Sequence, residues 1–234
     1  MTNNFMILNL IILTLLNIVN FVKGTTTEVA IERGAISKKG YVVLSVLSSI
    51  LYILGIYLTI NSNIERPDIL APMIATTMYM SLITTVEDIK VLLTNRWRSR
   101  ISYITSIICS INYVLKTEVS VPGNRLIWLI LFFVIFLLVS ILWDIKVFGR
   151  SITHQPGDTR MFMTLFPMMI AILQQKFMLG LGVFLIIFII THIIGMKVKQ
   201  LKVEDENEKR KVVVPLAPII LIQPYIMFIM IWIS

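Results

Sequence analysis

The sequence predicts an all-α membrane protein, a polytopic bundle of about eight transmembrane helices. Hydrophobic residues make up 57% of the 234-residue chain and charged residues only 15%, with a mean hydropathy of +0.87. Soluble domains contain about 25% charged residues. The apolar residues gather into eight runs, and most of these approach the roughly 20 residues that a bilayer span requires. The composition therefore excludes a water-soluble globule, a disordered tail and a disulfide scaffold.

The predicted helices follow one another closely along the chain. The runs cover residues 5–22, 41–60, 68–87, 101–115, 125–143, 160–175, 177–196 and 215–234. The first begins MTNNF without the basic residues of a secretory signal peptide, so we interpret it as a permanent span. The fourth run is short and contains several Ser, Thr and Asn, and the sixth loses its apolar character at Gln174. By length alone, either could be re-entrant.

The distribution of basic residues favours eight complete crossings. With the N-terminus outside, the inside segments carry 17 of the 21 Lys and Arg, and only Arg66, Lys116, Arg125 and Lys176 lie outside. Removing one short span would move the six basic residues of 197–211 outside. The bias is that of cytoplasmic loops, so we attribute the net charge of +8 to topology and expect no nucleic-acid partner. Segment 197–214 is interpreted as a solvated linker of mixed charge.

Few residues are suited to metal binding. Cys109 is the single cysteine and lies in an apolar run, which excludes an intrachain disulfide and a CxxC metal site. His154 and His192 are the only histidines. We therefore expect neither a metal nor a cofactor.

Two carboxylates near the inside ends of predicted helices are candidates for chemistry. Asp88 ends the third helix in VEDIK, and Asp158 follows a Pro-Gly turn and opens the sixth. Two carboxylates that share a proton can activate water for amide hydrolysis. The structural alternatives remain open: Asp158 as a helix N-cap, and Glu87 with Asp88 as an interfacial acidic pair that balances Lys90 and Arg96.

The neighbouring charged residues have simpler interpretations. Adjacent helical residues point about 100° apart, so Glu87 and Asp88 cannot both face one site. We expect Arg96, Arg98 and Arg100 to be topology signals and lipid-headgroup anchors. Asp144 is expected to form an interfacial ion pair with Lys146, and His154 to be an ordinary loop histidine.

At these residues the chain resembles the type IV prepilin peptidase family, and its archaeal prepilin and preflagellin peptidases in particular. Asp88 in EDIKVLLTN matches the first family aspartate, and Asp158 in QPGD matches the aspartate of the GxGD motif. Gly157, Lys90 and Arg160 match supporting motif positions, and VVVPLAPIILIQPYI is similar to the entry to the last family helix. Gln155 replaces the first Gly of GxGD, and Asn95 comes one position early.

The resemblance implies a division of the chain and a function. Residues 67–234 would form a six-helix aspartic peptidase core, and residues 1–66 an additional N-terminal helix pair. The substrates would be pilin-like or archaellin-like precursors, cleaved behind a short basic leader at the cytoplasmic face of the cell membrane. The acidic stretch Glu204–Glu208 could attract that leader. A small transporter or channel, a non-catalytic membrane assembly factor and a presenilin-like peptidase are the alternatives.

Overall fold

The computed structural model describes residues 3–22, 36–64, 66–91, 95–116, 201–205 and 208–213, with single positions at 186, 222 and 225. Four helices occupy the N-terminal half: α1 (Asn3–Val22), α2 (Lys38–Ile60), α3 (Pro67–Val91) and α4 (Arg96–Lys116). They correspond to the first four predicted helices, which are thereby confirmed as helices, and three of them are long and apolar enough to span a membrane. The remaining four predicted helices lie outside the described residues, apart from the single positions.

Local signals account for where these helices begin. The Ser37 hydroxyl accepts a hydrogen bond from the Gly40 amide at 3.1 Å and caps α2. Proline suits the first position of a helix because that residue needs no amide hydrogen, and α3 begins at Pro67. Asn95 Oδ1 accepts the amides of Trp97 and Arg98, at 3.0 and 3.2 Å. That cap explains why α4 begins five residues before the predicted apolar run.

Consecutive helices run antiparallel. Asn9, near the start of α1, hydrogen-bonds Tyr52 near the end of α2, whereas Asn20 near the end of α1 meets Ser45 near the start of α2. The same relation joins α2 to α3 and α3 to α4. Helix α3 contacts the other three and is buried at every position from Leu70 to Ser81. It is therefore the central element of the described bundle.

The interior of the described bundle combines apolar and polar residues, and many large aliphatic residues lie on its outer faces. The buried residues of α2 recur every three or four positions and are small or hydroxyl-bearing: Tyr41, Ser45, Ser48, Tyr52, Gly55 and Thr59. Its exposed residues are large and aliphatic, among them Val43, Ile50 and Ile53. Small residues let helices approach closely where lipid covers the outer faces. The segments Asn3–Phe21, Lys38–Ile60 and Pro67–Ile89 are long and apolar enough to cross a membrane, which indicates a membrane-embedded protein.

Helix α4 is more polar than its neighbours. It is not among the candidate spans in the part of the chain that the structure describes. Its buried face carries hydroxyl groups at helical spacing: Ser99, Ser102, Thr105, Ser106 and Ser110. Ser110 donates to the Met73 sulfur of α3 at 3.4 Å. The polar residues that shorten the predicted fourth run therefore pack against α3.

The segment interpreted as a linker contains a pair of strands. Strands β1 (Leu201–Asp205) and β2 (Glu208–Val213) pair antiparallel, with Leu201 opposite Val213 and Asp205 opposite Glu208. A register shift lies between Val203 and Asp205. The sequence analysis predicts no strands in this mixed-charge linker. The β-branched valines favour the extended backbone that the structure shows.

Candidate functional site

A buried ion pair links α3 to α4 at one end of the bundle. Arg98 Nη2 donates to Glu87 Oε2, and both side chains are fully buried. An isolated charge is very costly in an apolar interior, whereas opposite charges in contact offset part of that cost. The antiparallel hairpin brings the two residues together because Glu87 lies near the end of α3 and Arg98 lies in the first turn of α4.

Helices α1 and α2 contribute further hydrogen bonds to this pair. The Tyr41 hydroxyl of α2 donates to Glu87 Oε1 at 3.0 Å. Arg98 Nη1 donates to Asn20 Oδ1 of α1 at 2.6 Å. The backbone amide of Asn95 also lies close to the Glu87 carboxylate. We call Asn20, Tyr41, Glu87 and Arg98 the polar cluster; each of the four helices contributes one of its members.

The polar cluster continues along α1 towards the middle of the bundle. Asn20 Nδ2 donates to the Tyr79 hydroxyl at 2.5 Å and to the Ser45 hydroxyl at 3.1 Å. Tyr79 in turn donates to Asn17 Oδ1 at 2.9 Å. A continuous set of interhelical hydrogen bonds therefore extends from the ion pair over about one helical turn.

Asp88 directly follows the ion-paired glutamate in α3. Asp88 lies near the C-terminal end of α3. Its exposed fraction is 6%, so its side chain is largely shielded from solvent. Both neighbouring carboxylates are buried, and the rotation of about 100° between adjacent residues turns them in different directions. Glu87 points into the polar cluster, and Asp88 remains the candidate for chemistry.

The other predicted site residues are located as follows. Lys90 lies in the last turn of α3, but its side chain is outside the described part. Gly157, Asp158 and Arg160 lie outside the described residues, as do Asp144 and His154. The approach of Asp158 to Asp88 therefore stays a prediction.

Arg98 has a different role from the one that the sequence predicts. As a lipid-headgroup anchor it would be exposed, yet it is fully buried and paired. Arg100, two positions later, is exposed and lies over the Trp97 ring at 4.8 Å from its centroid. The anchoring interpretation fails for Arg98 because the first turn of α4 directs alternate basic residues to opposite sides.

The sequence does contain a signal for this ion pair. An acidic residue at the end of one apolar helix and a basic residue in the first turn of the next become neighbours when the connection is short. Position 98 also begins a 3–4 spacing of polar residues along α4 that marks its inner face. The interpretation of the three arginines as topology signals alone did not predict that Arg98 pairs with Glu87.

Ser81 lies in α3 about two turns before Asp88. Its hydroxyl is 2.5 Å from the hydroxyl of Tyr225, a residue of the last apolar run. Within the described ranges, no three His, Cys, Asp or Glu side chains come close enough together to hold a metal ion. In the same ranges, Asn95 Nδ2 and Arg98 Nε are buried and lack a hydrogen-bond partner.

Comparisons with protein-family models, with curated proteins and with solved structures give no match to this chain.

Proposed function

We propose that this protein is a membrane aspartic endopeptidase that removes the short basic leader of type IV pilin-like or archaellin-like precursors. The observation that carries the proposal is the position of Asp88. It lies at the end of a central helix of membrane-spanning length, nearly buried, next to a polar cluster built by four helices. Asp158 in the QPGD motif supplies the second carboxylate. The charge bias assigns both residues to the cytoplasmic face.

The proposed chemistry is hydrolysis of one peptide bond. One carboxylate accepts a proton from water while the hydroxyl adds to the scissile carbonyl carbon, and the other carboxyl group donates its proton to the carbonyl oxygen. The C–N bond of the resulting gem-diol then breaks. The leaving amine takes the proton from the first carboxyl group, and the second carboxylate regains its proton from a gem-diol hydroxyl. Gly157, Lys90 and Arg160 are the proposed supporting residues of the two motifs, and the reaction uses no cofactor.

The substrate class follows from the resemblance and from the surroundings of Asp88. A pilin-like precursor has an apolar helix behind its leader, and that helix would lie in the bilayer beside the aliphatic faces of the enzyme. The leader is basic. Asp205 and Glu208 are paired positions of β1 and β2, within the segment whose acidic residues are proposed to attract the leader. Residues 67–234 form the proposed peptidase core.

The test is processing of a pilin-like precursor by membranes that contain the full chain. We expect Asp88→Asn and Asp158→Asn each to abolish the mobility shift of the precursor. Asp68→Asn is the matched control, because Asp68 lies at the opposite end of α3 with an exposed side chain. Processing by both Asn variants at the wild-type rate would contradict the proposal.

A small transporter or channel is the second candidate. The observation in its favour is the hydroxyl-rich contact between α3 and α4, since polar residues inside a membrane bundle often mark solute pathways. Flux through proteoliposomes that survives loss of Asp88 and Asp158 would support it. A chain that neither cleaves nor transports would fit the third possibility, a non-catalytic assembly factor.

A further inference from the structure

We infer that the polar cluster is a positioning device for Asp88, and that the additional N-terminal helices α1 and α2 serve this purpose. The inference rests on the proposed function and assigns a role to residues 1–66. Asn20 from α1 and Tyr41 from α2 hydrogen-bond directly to the ion pair formed by Glu87 and Arg98.

Glu87 and Asp88 are consecutive residues of α3, so a restraint on the first also acts on the second. Glu87 is held by the Arg98 guanidinium and by the Tyr41 hydroxyl, which come from two different helices. A side chain held from two directions restricts the backbone at its own position, and the helix transmits that restriction to the next residue. Glu87 thus sets both the rotation of the last turns of α3 and the direction in which the Asp88 carboxyl points.

Arginine is suited to this role because its planar fork makes two contacts at once. Nη1 donates to Asn20 and Nη2 donates to Glu87, so one guanidinium joins α1 to α3. A lysine keeps the charge but cannot reproduce two directed contacts from separate nitrogens. Positioning matters for catalysis, since a misplacement of about 1 Å can reduce the rate by about 100-fold.

The first experiment measures cleavage of a pilin-like precursor by the full chain, with kcat expressed per folded molecule. We expect Glu87→Gln and Arg98→Gln to lower kcat by about 100-fold with KM unchanged. Tyr41→Phe, which removes a single hydrogen bond, should lower it by about tenfold. Arg98→Lys should fall between Arg98→Gln and the wild type. The controls are Tyr57→Phe, an exposed tyrosine of the same helix, and Asp68→Asn.

The second experiment does not depend on catalysis. In a Cys109→Ser background, Asp88→Cys places the only thiol at the buried position. We expect slow labelling by a maleimide, and an increase of about tenfold when Glu87→Gln or Tyr41→Phe is added. The Tyr57→Phe control should leave the labelling rate unchanged.

The outcomes separate this inference from the proposed function. Cleavage by Asp88→Asn would overturn the proposed function, and the labelling rates would then still report on positioning. Wild-type kcat in folded Glu87→Gln and Tyr41→Phe proteins would overturn the inference. An unchanged labelling rate in the same two variants would overturn it as well. A purely structural role predicts less folded protein with an unchanged kcat.

Discussion

At the scale of single residues, the described part of the chain contains a fully buried ion pair. Charges in an apolar interior are costly unless they are paired and hydrogen-bonded. Here Asn20 and Tyr41 supply hydrogen bonds to Arg98 and Glu87, whereas Arg98 Nε lacks a partner. The stability of the pair therefore depends on both partners being present.

The first prediction concerns the loss of one partner. Arg98→Met leaves the Glu87 charge uncompensated, and we expect the free energy of unfolding to fall by about 3–5 kcal/mol. The double variant Glu87→Gln with Arg98→Met should recover much of this loss. Unfolding in mixed detergent micelles with increasing SDS measures both values. Breaking the exposed Arg66–Asp68 pair with Asp68→Asn should cost less than about 1 kcal/mol. Equal losses from the two pairs would contradict this account.

The second prediction concerns a buried tyrosine. Tyr79→Phe removes the hydroxyl that donates to Asn17 and accepts from Asn20. Interhelical hydrogen bonds in membranes contribute about 0.6 kcal/mol on average and at most about 1.7, so we expect a loss of about 1 kcal/mol. The same unfolding assay applies. Tyr57→Phe is the control, because Tyr57 is 62% exposed and its substitution should leave stability unchanged.

At the scale of helices, many small and polar residues lie in the contacts, beside buried apolar residues such as Leu16 and Ile74, and large aliphatic residues cover much of the outer surface. Helix α2 illustrates this with its buried Tyr, Ser, Gly and Thr at a spacing of three and four. In water, burial of apolar surface would favour the opposite arrangement. In lipid the tails are as apolar as leucine, so close packing and hydrogen bonds decide which face turns inward.

The third prediction tests the closest approach between α2 and α3. A Cβ atom added at Gly55 would lie 2.8 Å from Ala75 Cα and 3.0 Å from Met78 Sδ. Since the first neighbour is backbone, α2 and α3 must move apart, and we expect Gly55→Ala to destabilise the protein by about 1–3 kcal/mol. Gly40→Ala is the comparison, because the nearest atom, the Ser37 side-chain hydroxyl at 3.3 Å, needs to shift by only a few tenths of an ångström and no backbone stands in the way. Equal stability of the two variants would show that the helices tolerate separation.

At the scale of the whole molecule, the antiparallel order of the four helices agrees with the alternation that the charge bias requires. The polar cluster gathers the ends of α1 and α3 and the beginnings of α2 and α4. The topology predicted from the basic residues places all four of these helix ends on the inside of the membrane. The structure thus supports a common end, and the side of the membrane on which it lies is a prediction.

The fourth prediction assigns that side. In a Cys109→Ser background, Asn63→Cys should react with a membrane-impermeant maleimide added outside intact cells, because it follows α2. Ser37→Cys, which precedes α2, should react only after the membrane is permeabilised. Both native residues are exposed, so burial does not confound the comparison. The reverse pattern would move the polar cluster and Asp88 to the outer face and exclude cytoplasmic cleavage.

Much of the described helical architecture could be predicted from the sequence. The first four apolar runs correspond to α1 to α4, with ends that differ by a few residues. The largest difference is at α4, where the Asn95 cap starts the helix inside a basic segment. The β1–β2 pair was missed because charged residues obscured its valines. For the candidate site, the role of Asp88 stays a prediction, whereas Arg98 was assigned to the wrong environment.

The sequence by itself determined the membrane-embedded character of the protein and the existence of its first four helices, because the length and hydropathy of an apolar run are local properties of the chain. Only the tertiary structure decided which residues face inward and that Glu87 and Arg98 meet. On helices that are apolar all round, hydrophobicity does not distinguish the faces. The contacts between helices decide which face turns inward, through small side chains, hydrogen bonds and the ion pair of Glu87 with Arg98.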